Sequence, residues 1–203
     1  MTDWNRLPDE ATVRATMDAL RERNFLPRYV PTRDAALAAL QEMVPPGTTV
    51  AHGTSTTLIQ VGFLTFIEQA EGYDYLPRRV RAEDDPERRT RLRKEATLAD
   101  YFLGGVQAIA QTGQVVAADA SGGRQAGYIY GANHVIWVAG VNKIVPTLDD
   151  ALRRLREHAF PLEDQRMKQT GAPGSSINKV VIYERESVAG RTQVLLIGEA
   201  LGF

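Results

Sequence analysis

The chain has 203 residues, 43% hydrophobic and 24% charged, which suits one globular domain of ordinary composition. A formal charge of -1 argues against nucleic-acid binding through bulk electrostatics, because such domains carry a basic excess. The absence of cysteine excludes disulfides, thiolate catalysis, zinc–cysteine sites and cysteine-held iron–sulfur clusters.

The three histidines, His52, His134 and His158, are not at helical metal-ligand spacing, so no metal site is expected. The start MTDWNRLPDE is polar, and no apolar run is long enough to span a bilayer. The expected location is therefore cytoplasmic, with no membrane role.

In chain order, residues 1–45 form a helical segment. Asp9–Arg23 is one helix, with Val13, Met17 and Leu20 on one face. Phe25–Val30 reads as an extended link. A second helix follows Thr32, its expected N-cap, with Ala36, Leu37, Leu40 and Val44 aligned. Thr48–Ala51 is a short strand, and His52-Gly53-Thr54-Ser55-Thr56-Thr57 leads into an apolar helix over Leu58–Ala70. Free backbone N–H groups at such a turn can hold an anion, but the commoner arrangement is a plain cap, with Ser55 or Thr56 bonding those groups. It is no P-loop, since the lysine and the glycine spacing are missing.

Gly72–Glu95 is strongly polar and reads as a solvated face; a basic lip over an acidic substrate is the alternative. Ala96–Ala110 shows a helical stripe of Leu98, Phe102, Val106 and Ile109, weakened by Gly104-Gly105. That stripe puts Asp100 on a helix, within reach of strand ends or of Arg93 and Lys94. Val115–Ala118 and Val135–Ala139 are β-branched runs bounded by turn residues, hence buried strands. Gly123–Tyr130 forms one or two helical turns. Thr147–Ala159 is a helix capped by Thr147 and ended by Phe160-Pro161. Met167–Asn178 reads as loop. Lys179–Tyr183 and Gln193–Gly198 read as strands joined like a hairpin. Alternating helices and strands give an α/β domain with a mostly parallel sheet, in which ligands bind beyond the carboxyl ends of strands.

The segments VAHGTSTTLIQVGF, DYFLGGVQAIAQTGQVVAADASGGRQAGYIYGANHVIWVAGVNKIVPTLDDALRRLRE and RTQVLLIGEALGF carry a likeness over nearly the whole chain. It resembles the lactate-utilization (LUD) domain family. The resemblance implies a single domain over 1–203 with a three-layer α/β/α Rossmann-like fold, similar to glucosamine-phosphate deaminase, ribose-phosphate isomerase and CoA-transferase proteins. It also implies a link to bacterial L-lactate oxidation, beside an iron–sulfur subunit and another LUD-containing subunit. Two departures matter. Many relatives carry a cysteine-rich loop where this chain has Gly171–Asn178, and asparagine where it has Gly123 before Arg124.

Substrate-binding residues are expected on two facing segments: Gly53, Thr54, Ser55 and Thr56 on one, Arg124, Asn142 and Lys143 on the other. Asp119 and Arg124 either hold each other or frame a substrate carboxylate. Lys143 can bind an anion as a point charge, or it is a solvated loop residue with Asn142 as a turn former. His52 and Asp119 are the weak catalytic candidates; a strand-end histidine is more often a satisfied neutral side chain. Two readings of function remain. One is an accessory, small-anion-binding component of lactate oxidation, with no intrinsic cofactor and iron–sulfur or flavin chemistry only through a partner. The other is a stand-alone enzyme on a small phosphorylated or carboxylated metabolite, of sugar-phosphate isomerase or CoA-transferase type. A homodimer is compatible with either.

Overall fold

Short runs that bury both faces alternate with capped helices, and the strands they form divide between two sheets. The computed structural model describes residues 2–203. Its first half contains α1 (Glu10–Glu22), β1 (Leu26–Val30), α2 (Arg33–Met43), β2 (Thr49–His52), α3 (Thr56–Gln60), α4 (Phe63–Gln69), β3 (Asp74–Tyr75), α5 (Leu76–Ala82) and α6 (Pro86–Glu95). Then come β4 (Tyr101–Gly104), β5 (Ala108–Ala110), β6 (Val115–Asp119), α7 (Gly123–Ala126), β7 (His134–Gly140), β8 (Ile144–Val145), α8 (Leu148–Arg154), α9 (Phe160–Gln169), β9 (Lys179–Tyr183) and β10 (Thr192–Ile197).

The larger sheet has the order β1-β10-β7-β4-β2-β3, and every pairing in it is parallel. One face, with Leu103, Ile136, Val138, Leu195 and Ile197, packs on α2, α3 and α4 through Ala36, Leu40, Leu58 and Phe63. The other face, with Phe102, Val135, Trp137 and Leu196, meets α1 and a second sheet of order β8-β5-β6-β9. The outer side of that sheet, with Ala108, Val116 and Ala118, packs on Ala151 and Leu155. The chain thus has the expected Rossmann-like α/β/α plan with a largely parallel sheet, and a small mixed sheet is inserted before the last helical layer.

The helix starts follow their caps. The Asp9 carboxylate accepts from Thr12 N at 2.7 Å, the Thr32 hydroxyl from Ala35 N at 3.2 Å and the Thr147 hydroxyl from Asp150 N at 3.1 Å.

Several expectations are corrected. Phe25–Val30 is no link, because Leu26–Val30 pairs in parallel with β10. The Leu58–Ala70 helix is broken at Gly62, whose φ of 82° lies in the left-handed region. Ala96–Ala110 is not a helix: after a short 3-10 turn it supplies β4 and β5, and Leu98, counted on the apolar stripe, is 67% exposed. A strand buried on both faces imitates one turn of a helical stripe, since period alone cannot separate short apolar runs. Phe160-Pro161 does not end its helix. A π-helical turn at Leu155–Ala159 leads into α9, and the wider turn takes up a proline nitrogen that has no hydrogen to donate. The last two strands form no hairpin. β9 pairs antiparallel with β6 in the small sheet, and β10 lies between β1 and β7 in the large one.

Gly104 ends β4 directly beneath Tyr128, whose hydroxyl donates to Gly105 O at 3.1 Å; any Cβ at Gly104 would collide with that hydroxyl. We expect Gly104→Ala to cost about 1–3 kcal/mol in urea denaturation, the usual range for overpacking. Combined with Tyr128→Phe, which removes the colliding oxygen, the loss should be smaller than the sum of the two single losses.

Candidate functional site

Beyond the carboxyl ends of β2, β4 and β7 lies a cavity of about 640 Å³. This is where a parallel sheet exposes its strand ends to a ligand. Its walls include His52–Thr57, Val106 and Gln107, Ala118–Ser121 with Arg124, Lys143, and Leu155 with Ala159 on the π-helical turn. Gly174–Ile177, from the cysteine-free loop, closes another side. Every residue expected at the site lines this cavity except Asn142.

Lys143 follows β7 on a 3-10 turn and is only 3% exposed. Its Nζ donates to Val106 O at 3.0 Å and to Thr57 Oγ1 at 3.2 Å. Burial pushes the amine well below the usual lysine range, and the Arg154 and Arg124 guanidinium groups push it further the same way. Its burial rules out the solvated lysine considered from the sequence. Both of its hydrogen-bond partners are neutral oxygens, a carbonyl and a hydroxyl.

Asn142 is corrected. Its side chain is 2% exposed and turns away from the cavity. Its Oδ1 accepts from Leu201 N at 3.2 Å, which fastens residues 201–203 beside Lys143; Phe203 joins the cavity wall.

Asp119 is occupied by its own loop. Its carboxylate accepts from Ser121 N at 3.0 Å, Gly122 N at 3.2 Å and Arg124 N at 3.1 Å. The Arg124 guanidinium lies 3.9 Å from it, too far for a hydrogen bond. Arg124 instead donates to Ala118 O, and to Thr54 O at 3.3 Å, and its buried Nε has no partner. Gly53 permits this path, because a Cβ there would lie 2.6 Å from Arg124 Cδ.

Ser55 caps α3 by accepting from Leu58 N at 3.2 Å. With only five residues in α3, capping accounts for this turn better than an anion cradle. His52 Nδ1 lies 2.9 Å from Gly53 O, and the ring stacks on Tyr75. Burial, aided by Arg81, lowers its imidazole below the usual histidine range, so it is neutral near pH 7. Asp100 reaches neither Arg93 nor the cavity. It accepts from Thr49 N at 2.9 Å and from Asn133 Nδ2 at 3.0 Å, tying β2 to the start of β7.

Sequence reasoning missed Arg154. It is fully buried, one Nη donates to Gln107 O, and its Nε and other Nη have no partner. Burial lowers its pKa to about 10, which leaves it a cation at neutral pH. The signal was present: Ala151, Arg154, Leu155, His158 and Ala159 are spaced i, i+3, i+4, i+7, i+8, an inward stripe. Arg81, Arg93 and Arg166 also line the cavity, so the polar segment Gly72–Glu95 contributes to a basic rim. Among the described residues no group of three or more histidines, aspartates or glutamates could hold a metal ion, and no helix is long and apolar enough to cross a membrane.

A family model described as LUD domain matches residues 13–195. The crystal structure of a DUF162 family protein from Deinococcus radiodurans is similar with a TM-score of 0.56 at 15% identity, covering 95% of this chain and 100% of that one. At that identity the likeness shows the fold alone. The beta subunit of eIF2B from Chaetomium thermophilum gives a TM-score of 0.35 at 14% identity, over 69% of this chain and 48% of that one. That likeness is too slight to argue from. No curated protein matches the chain.

The buried amine has a measurable cost. Unfolded, Lys143 takes up a proton below about 10.5, whereas folded it resists doing so. The unfolded state therefore binds more protons between the folded value and the unfolded one, and the Lys143 contribution to stability rises with pH across that window. We expect Lys143→Met to be more stable than the parent at neutral pH in thermal denaturation, with the gap closing towards about pH 10. A constant difference across that range would refute the assignment of a depressed amine.

Proposed function

Because the chain belongs to the LUD domain family, we propose that it acts in bacterial L-lactate oxidation to pyruvate as a component that binds a small organic anion in this cavity. One observation carries the reading: two cations, Arg154 and Arg124, act on Lys143, a buried residue of the cavity wall. Buried guanidinium N–H groups without partners are costly, and a carboxylate that accepts from them offsets the cost. Asp119, whose oxygens accept from three backbone N–H groups, meets Arg124 only as a long ion pair at 3.9 Å, and Arg154 has no carboxylate partner among the described residues.

In this arrangement Arg124 Nε is the donor nearest to hand for a ligand carboxylate, and the neutral His52 imidazole is a wall residue able to exchange a proton. The chain holds no cysteine-ligated cluster, so electrons released from lactate would leave through an iron–sulfur or flavin-bearing partner, in company with other LUD-containing subunits.

A second reading has its own support. A cavity of about 640 Å³ exceeds what a three-carbon acid fills, which favours a larger phosphorylated or carboxylated metabolite and a stand-alone enzyme.

Calorimetry distinguishes them. We expect lactate or pyruvate to bind the parent, and Arg124→Gln to lose affinity by roughly tenfold to a hundredfold, the loss of one charge-assisted contact, with the fold intact by circular dichroism. Tighter binding of sugar phosphates than of either acid would favour the second reading; no binding of any of these anions would refute both. For the accessory role, affinity capture from native extract should recover an iron–sulfur or flavoprotein subunit, and its repeated absence would refute the assembly.

A further inference from the structure

Lys143 combines four features that seldom coincide in a merely structural lysine. It lines a cavity open to small molecules while being almost wholly removed from solvent. Its nitrogen is held by a carbonyl and a hydroxyl, Val106 O and Thr57 Oγ1, and not by a carboxylate. Its charged neighbours come from two different elements, Arg124 of α7 and Arg154 of α8, and both are positive. On the π-helical turn, burial and then Arg154 lower the His158 imidazole below the usual histidine range. Desolvation beside another cation is the environment that turns a lysine into a nucleophile towards carbonyl groups.

We propose that Lys143 captures a carbonyl-bearing carboxylate, of which a 2-oxo acid is the smallest, as a reversible imine inside the cavity. The proposal rests on the reading that the cavity takes a small organic anion, and it adds the class of ligand and the bond formed. The amine nitrogen adds to the carbonyl carbon, making a C–N bond and a carbinolamine. The carbonyl oxygen gains the protons that nitrogen gives up and leaves as water, and a C=N bond remains. Nothing is oxidised or reduced. The Thr57 hydroxyl, 3.2 Å from Nζ, is placed to pass a proton between nitrogen and the departing oxygen. The ligand carboxylate can accept from the unpartnered Arg124 Nε, so a ketone without a carboxylate should be captured poorly.

The other three lysines, Lys94, Lys168 and Lys179, are exposed and serve as internal controls. An ordinary lysine has only about a thousandth of its amine unprotonated at neutral pH. The full chain is incubated with pyruvate and cyanoborohydride at neutral pH, digested and mapped by mass spectrometry. We expect a reduced pyruvyl adduct on Lys143 at least about tenfold above the exposed lysines, as the difference in amine fraction requires. Lactate, which has no carbonyl, should give none, and acetone should give far less. Lys143→Arg should abolish the adduct at that position; if this variant does not fold, the parent's peptide map decides alone. Calorimetry with pyruvate and lactate runs in parallel. If neither acid binds, the anion-site reading fails and this proposal with it. If pyruvate binds while Lys143 stays unmodified, or if the adduct spreads evenly over all four lysines, the anion site stands and the imine falls.

Discussion

Burying one amine constrains much of this structure. Lys143 sits where β7, the strand between β10 and β4 in the larger sheet, runs out into a turn. Its two hydrogen-bond partners come from α3 and from the connection between β4 and β5, and its two cationic neighbours from α7 and α8. Elements distant in sequence must therefore close around a nitrogen whose ammonium form burial and the two guanidinium groups disfavour. Desolvation and like charge both act against the fold here. A site that costs stability and persists is the usual mark of a position shaped by function.

The small inserted sheet makes this convergence possible. β6 delivers Ala118 and Asp119 to the cavity from the opposite side to β2, and β5 follows directly on Val106 and Gln107. Arg124 then spans the gap, donating to Ala118 O at the end of one sheet and to Thr54 O beyond the end of the other. Joining the sheets and lining the site are thus one task for a single side chain. Gly53 belongs to the same device, because the aliphatic part of Arg124 occupies the space its Cβ would need. Any substitution of Arg124 tests both roles at once, which makes a separate check of the fold necessary.

Much of this was legible in the sequence where chemistry is local. Thr32, Ser55 and Thr147 cap the helices that follow them, because a side-chain oxygen at that position has few competing uses. The location of a site beyond strand ends was also readable, since a parallel sheet offers few other places. What failed depended on pairing. Tyr101–Gly104 is apolar on both faces, so its pattern did not distinguish a central strand from a helix. Nothing local in Lys179–Ile197 shows that its two strands enter different sheets. At the site, positions were more readable than roles. Lys143 was found but its burial was not, and Asn142 was found but holds Leu201. Arg154 was not singled out, although its spacing with Ala151 and Leu155 put it on the inward stripe.

The cations around the cavity differ in how far they are already satisfied, and the difference has a direction. At the rim, Arg81 is paired with Glu68, and Arg166 with Glu163 at 2.7 Å. Further in, Arg124 keeps only a long approach to Asp119 and an idle Nε, and Arg154 keeps two idle nitrogens. Exposed pairs contribute little pull on a ligand, because solvent and their own partners screen them. Buried, unpaired donors act through a lower dielectric and gain most from an arriving negative charge. The attraction for an anion therefore grows from the mouth inward. On the proposed reading, a ligand's charged head would turn towards Arg124, which lines the cavity together with Lys143.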